Sequence, residues 1–283
     1  MLQLIQKLRT SGRFRDFGIM GEAITSRHKR CRAWWTPHLV CSKTFIQKHL
    51  SNATHDRVAV LGAGRLLDVD IESLLKSCGE VHLFDADPGC SRIWKSHFSK
   101  QYGKTLIGHS TDLTQCLEAW SRAVRYARSS EDLCERLSAL RAEPPVWDGE
   151  AFDGCISLNI LSQIPLYWRD RVLQMYPKWY DAVWEALTKS MASLQTAHMQ
   201  GLTHNSTKWT ALLTDTEYYF YHVDSSSWRV ESALFGDAQE LYNKHYKKPA
   251  TESWWWHLAP QFIEDENEGE IHRVEASMSA VGN

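Results

Sequence analysis

Short apolar runs alternating with helix-period stretches constrain this chain more than any other feature. VAVLGAG (58–64), VHLFDAD (81–87), KTLIGHS (104–110), FDGCISLNIL (152–161) and KWTALLTD (208–215) are five runs of strand length. Their apolar residues are nearly continuous, the pattern of a strand buried on both faces of a parallel sheet. Leu67, Ile71, Leu74, Leu75 and Cys78 fall at helical spacing over 66–78, with Asp68 or Asp70 as the cap and Gly79 where the helix ends. Leu117, Trp120, Val124 and Ala127 mark a second helix, and Leu133, Leu137 and Leu140 a third after the cap-like Ser-Ser-Glu-Asp. Val183, Leu187, Met191, Leu194 and His198 mark another, expected to stop near Gly201. The alternation predicts an α/β fold, a Rossmann-like doubly wound sheet of five parallel strands.

The two ends of the chain break the alternation. SWWWHLAP (253–260) and IHRVEASM (271–278) are strand-like runs separated only by the acidic stretch EDENEGE (264–270). Parallel neighbours need a crossover of about a dozen residues, so these two are expected to close the sheet as a C-terminal antiparallel hairpin. Residues 1–50 hold no strand signal and read as an N-terminal helical extension, a cap on a domain spanning 51–283 with a helical insertion at about 113–150. The basic run RHKRCR (27–32) lies in the extension, just before Trp34, Trp35 and His38.

Composition excludes several classes. With 32 Lys plus Arg against 34 Asp plus Glu, the net charge is −2, so no whole-molecule field draws in nucleic acid or an anionic membrane. No apolar run reaches the roughly 18 residues of a membrane span. The opening MLQLIQKLRTSGRFR lacks the apolar core and cleavage site of a secretory signal, so a cytoplasmic location is the expectation. Seven scattered cysteines without a Cys-x-x-Cys pair, and 13 histidines without His-x-x-x-His, predict neither a disulfide framework nor a metal site. The 13 Trp are expected mostly in the core.

The segment richest in chemistry is VAVLGAGRLLD (58–68). A strand ending in Gly62-Ala63-Gly64 lets backbone approach a ligand, and in doubly wound sheets ligands bind beyond the carboxyl ends of the strands. Asp85 ends the next strand, 23 residues after Gly62, where a carboxylate can accept both hydroxyls of a ribose. That spacing suits NAD(P) enzymes and S-adenosylmethionine enzymes alike. A dinucleotide fingerprint would place a third glycine at 67, where Leu67 stands, and the terminal hairpin also points away from dehydrogenases.

With these residues in view, the chain over about 58–278 resembles class I S-adenosylmethionine-dependent methyltransferases. LGAGRLLDVDIESLL, SLNILSQIP, ALLTDTE and WWWHLAP resemble more narrowly a bacterial methyltransferase-like group of unknown substrate. The resemblance implies cofactor contacts from Gly62, Ala63, Gly64 and Asp85, an adenine-side contact from Asp112 or the preceding Ser110-Thr111, and a place near the transferred methyl for Asn159. It implies S-adenosylmethionine as cofactor and S-adenosylhomocysteine as product. One departure stands out: the acid usually found two places before the first glycine is Val60, so Asp68 or Asp70 is the candidate substitute.

Asn159 and Gln163, at the tip of the fourth strand, are candidates for orienting a nucleophile, unless they satisfy loop backbone. His204, expected beyond the helix end at Gly201, is a candidate base, whereas His198 falls on an apolar stripe and reads as a core histidine. Arg27, Arg32, Trp35 and His38, with Arg30 beside them, are candidate substrate contacts if the extension closes over the site; otherwise they are a solvated helix face with a Trp beneath. The expected activity is methyl transfer to a small-molecule or peptide acceptor, with no strong nucleic-acid signal and no membrane. A non-catalytic binding protein and an NAD(P)-dependent oxidoreductase are the alternatives.

Overall fold

The computed structural model describes residues 14–50, 54–98, 105–225, 227–248 and 251–281. Two helices open the described chain, α1 (Arg15–Arg30) and α2 (Arg32–Leu50). There follow β1 (His55–Leu61), α3 (Ile71–Ser77), β2 (Cys78–Asp85), α4 (Pro88–Phe98) and β3 (Leu106–Ser110). Next come α5 (Leu117–Arg125), α6 (Ser130–Ala139), β4 (Phe152–Leu158), α7 (Ile164–Met175), α8 (Tyr180–His204) and β5 (Ser206–His222). The chain ends with β6 (Ser227–Ser232), α9 (Gly236–His245), β7 (Glu252–Ala259) and β8 (Gly269–Ala280). The strands lie in the order β3-β2-β1-β4-β5-β8-β7, with β6 pairing β5 off that path. This is a Rossmann-like doubly wound sheet: the five expected strands, extended by the C-terminal pair. Residues 1–13 of the expected cap, and Lys104 of the expected third strand, lie outside the described residues.

By contact density the chain forms two compact units. The first comprises Met1–Thr111, Tyr219–Arg229 and Trp254–His272; the second, Asp112–Tyr218, Val230–Ser253 and Arg273–Asn283. In the first, β1, β2 and β3 run parallel, with Val58 opposite Val81, Val60 opposite Leu83 and Asp85 opposite Ser110. Val58, Val60, Leu61, Val81, Leu83 and Phe84 are fully buried, as the continuous apolar runs require. In the second, β4 and β5 run parallel with Leu158 opposite Leu213. The long helix α8 buries Val183, Leu187, Met191, Leu194 and His198 along one stripe. Within that stripe the His198 Nε2 meets the Ser157 hydroxyl at 2.9 Å, and burial pushes the imidazole down to about 3, so it stays neutral.

Several boundaries differ from expectation for physical reasons. The helix predicted over 66–78 is shortened to α3, because Asp70 caps it by accepting from the Ser73 amide at 3.2 Å. Cys78 and Gly79 then belong to β2; a β-carbon at Gly79 would press on the Asp56 carbonyl of the neighbouring strand. Helix α8 continues through Gly201, which is glycine because Pro145 and Trp147 pack directly on it, and ends at His204. Strand β5 runs well past the predicted 208–215 and pairs with β6, a six-residue strand whose Trp228 and Val230 alternate with polar residues yet are exposed.

Candidate functional site

Beyond the carboxyl end of β1 the backbone enters the left-handed region at Gly62 (φ 68°) and Gly64 (φ 50°), where glycine meets no Cβ penalty. The amides of Gly62 and Ala63 both donate to the Phe84 carbonyl, at 3.0 and 3.1 Å, which ties the turn to the last residues of β2. Asp85 is the next residue. Its Oδ2 accepts from the Gly64 amide and its Oδ1 from the Asp87 amide, each at 2.8 Å. Gly62, Ala63, Gly64 and Asp85 are thus brought together. Burial raises the Asp85 carboxyl to about 6, and the amide donors oppose that rise by favouring the charged form. An ionised carboxylate has about four acceptor positions, more than the Gly64, Asp87 and Ala86 amides fill.

A second ring of residues around this turn gives little signal in the sequence. Asp87, 5% exposed, accepts from the Gly89 amide at 2.7 Å and from the Cys90 thiol, and lies 3.6 Å from Arg65. Arg65 donates to Glu22 of α1 at 2.6 Å, while its buried Nε has no hydrogen-bond partner. Helix α1 comes this close because Gly18 and Gly21, three residues apart on one face, pass over the Asp87 carboxylate; a β-carbon at Gly21 would overlap it. The Trp94 indole donates to the Gly64 carbonyl at 2.9 Å. Arg65 also lines a groove of about 360 Å³ with Lys43, Leu66, Val69, Asp70 and Ile93. The Gly-x-x-Gly spacing of α1 and the second aspartate of LFDAD are the signals that mark these residues.

One expectation about the turn is corrected. The chain does not pass directly into a helix: Leu66 is left-handed (φ 60°) and α3 begins only at Ile71. No helix N-terminus therefore faces the turn from this segment. The acids proposed to replace the one missing at Val60 are both engaged, Asp68 with His38 at 2.8 Å and Asp70 with Ser73 and the Gln47 amide group. Val60 itself is fully buried in the sheet.

In the second unit, Asn159 follows the last residue of β4 in a left-handed conformation (φ 50°), and its amide donates to the Leu213 carbonyl at 2.8 Å. A non-glycine residue held there stores strain of order 1 kcal/mol, which asparagine tolerates better than most. The Ser162 hydroxyl donates to Asp215 at 2.8 Å, and the Tyr218 hydroxyl to the Ser162 carbonyl at 3.3 Å. Asp215 is 1% exposed, and the sequence marks it only as a lone acid at the end of an apolar strand. Gln163, half-buried, precedes α7 without capping it through its side chain.

Asp112 is occupied within its own loop. Its Oδ1 accepts from the Thr114 amide and hydroxyl, and its Oδ2 from the Leu117 amide at 2.8 Å, which secures the start of α5. His204 ends α8 beside Asn205, whose carbonyl accepts from the Phe152 amide at the first residue of β4. It therefore stands at the amino edge of β4 and β5, opposite the carboxyl ends where a base was expected.

The N-terminal cluster is consumed by packing in the first unit. Trp35 is buried, donates to the Leu258 carbonyl at 2.9 Å and meets Trp256 edge-on at 4.9 Å. His38, fully buried, stacks on Trp256 at 4.1 Å. Its Nδ1 accepts from the Trp254 indole at 3.0 Å, so a neutral His38 carries its proton on Nε2 and donates to Asp68. Arg27 and Arg30 both bind Glu264, which they hold below the usual carboxylate range, Arg30 chiefly. The basic run is thereby paired with Glu264, the first residue of the acidic stretch, whose residues 265–267 are exposed. Of the four expected substrate contacts, Trp35 and His38 are buried, Arg27 is engaged and Arg32 is exposed.

Among the described residues no group of three or more His, Cys, Asp or Glu could hold a metal, and no helix is long and apolar enough to cross a membrane. The seven cysteines are free thiols. No family model matches the chain, and no curated protein matches it. Among solved structures it is similar to magnesium protoporphyrin IX methyltransferase from Synechocystis PCC 6803 with bound S-adenosylhomocysteine, at 10% identity and a TM-score of 0.43 over 87% of this chain and 85% of that one. It is similar to an S-adenosylmethionine-dependent methyltransferase from Clostridium acetobutylicum, at 10% identity and 0.40 over 85% and 90%. The same holds for an rRNA methylase from Streptococcus thermophilus, at 8% identity and 0.37 over 84% and 94% of the two chains.

Proposed function

We propose that the protein binds S-adenosylmethionine at the glycine turn and transfers its methyl group to a small-molecule or peptide acceptor. The observation that carries this is the Asp85 carboxylate, fixed beside Gly64 by two amide bonds with acceptor capacity left for a ribose diol. The left-handed glycines at 62 and 64 give the backbone access that the cofactor needs, and the unpartnered Arg65 Nε offers a donor for its carboxylate. S-adenosylmethionine supplies a methyl group already activated on a sulfonium, so the protein's own work is alignment and exclusion of water. Asn159 and Gln163 remain the candidates for holding the acceptor nucleophile. A dinucleotide is disfavoured because no helix N-terminus follows the turn to meet a pyrophosphate.

A second reading, binding without catalysis, is favoured by one observation: Val60 is buried and both substitute acids are engaged, which leaves the methionine ammonium without an obvious carboxylate. Calorimetry with S-adenosylmethionine, S-adenosylhomocysteine and NAD(P) tests the binding. Saturable binding of the first two alone supports the proposal, and binding of NAD(P) alone rejects it. Formation of S-adenosylhomocysteine in the presence of candidate acceptors separates the enzyme from the silent binder.

A further inference from the structure

The three consecutive tryptophans of β7 alternate faces, as strand geometry demands. Trp254 and Trp256 turn to α2, where His38 lies between them. Trp255 turns the other way and is 51% exposed. On that opposite face it meets Tyr219 of β5 at 5.0 Å with the ring planes at 83°. Tyr219 in turn meets Trp228 of β6 at 6.5 Å and 75°, and Trp228, 59% exposed, also contacts Tyr221 at 5.3 Å. Gly269 of β8 makes this row possible: Tyr221 lies where a β-carbon at Gly269 would stand. The result is a run of rings from three strands, β6, β5 and β7, with two exposed indoles each set nearly perpendicular to Tyr219.

The exposed indoles of Trp228 and Trp255 carry electron-rich faces, which attract a cation more than a neutral apolar group of the same shape. The surrounding charge has the matching sign. Of the six carboxylates in segments 219–229 and 254–272, Glu264 is paired with Arg27 and Arg30, Glu268 with Arg229 and Glu270 with His272, and Asp224, Asp265 and Glu266 lie in the turns. Arg229 lies over Phe220 at 4.0 Å, on the face away from Tyr219 and Tyr221 by strand alternation, and pairs with Glu268. Asp224 and Glu266, in the adjoining turns, are exposed.

We infer that Tyr219, Trp228 and Trp255 form an aromatic site for a soluble ligand bearing a quaternary or methylated ammonium group. The site is independent of the glycine turn and of methyl transfer. Titrating the full chain with choline while following Trp fluorescence, with 3,3-dimethylbutan-1-ol as the neutral isostere, tests it. Choline is expected to bind saturably and about tenfold more tightly than the alcohol. Trp228→Leu and Trp255→Leu are each expected to weaken choline severalfold while the melting temperature and S-adenosylhomocysteine affinity stay unchanged. Equal binding of the alcohol, or choline binding indifferent to both substitutions, overturns the site. Two other results assign the rings elsewhere and also overturn it. One is a dimer in sedimentation that Trp228→Leu dissolves. The other is capture by phosphatidylcholine vesicles that free choline does not compete.

Discussion

At the glycine turn the polar atoms gathered near the strand ends are backbone amides and one carboxylate with acceptor capacity to spare, whereas in the layer formed by α1, α2 and β7 they are side chains paired with one another. His38 sits between Asp68 and Trp254, and Glu264 between Arg27 and Arg30. Both regions are rich in residues that bind ligands elsewhere. The difference teaches that side-chain type is a weaker guide to a site than backbone geometry. A long polar side chain can fold back onto the protein and be satisfied there, while left-handed glycines leave the backbone of a turn open to close approach.

The largest effect expected is on the packed layer. Trp35→Ala removes a buried indole and its hydrogen bond to Leu258, and should cost about 3–5 kcal/mol in urea unfolding. A loss below about 1 kcal/mol would break the comparison, because Trp35 would then be free for ligand. Next, Asp85→Ala should weaken S-adenosylhomocysteine by about 1–3 kcal/mol in calorimetry with little change in urea midpoint. Unchanged affinity would remove the distinction from the other side.

Gly21→Ala probes a place where α1 reaches the turn. The added methyl meets the Asp87 carboxylate, and moving α1 away should cost about 1–3 kcal/mol of stability. If ligand affinity falls with it, α1 belongs functionally to the turn and not only to the packed layer.

The pH dependence sharpens the contrast further. The Asp85 carboxyl is raised from 3.8 to about 6, so between those values the folded protein holds a proton that the unfolded chain has released. Stability from this group is therefore present at low pH and lost as pH rises through about 6. Ligand affinity should move oppositely, strengthening from pH 5 to 7.5 as the carboxylate ionises to accept the diol. Asp85→Asn should flatten both profiles. The smallest effect is expected from Glu264→Gln, where both arginine partners are partly exposed: a melting shift of at most about 2 °C that shrinks in salt.

The sequence by itself determined the sheet and its turn. The nearly continuous apolar runs at 58–61 and 81–84 specify strands buried on both faces, and Gly62 and Gly64 with Asp85 mark where they end, because these signals are local and each is dictated by backbone conformation. The Ser129 cap of α6, which accepts from the Asp132 amide, was legible for the same reason. What only the tertiary structure decided are the partners. That His204 would end a helix at the amino edge of β4, and that the basic run would meet Glu264 some 230 residues away, both depend on which segments fold together. Hydrogen bonds and ion pairs form with whatever donor or acceptor lies within about 3 Å, and separation along the chain carries no record of that distance.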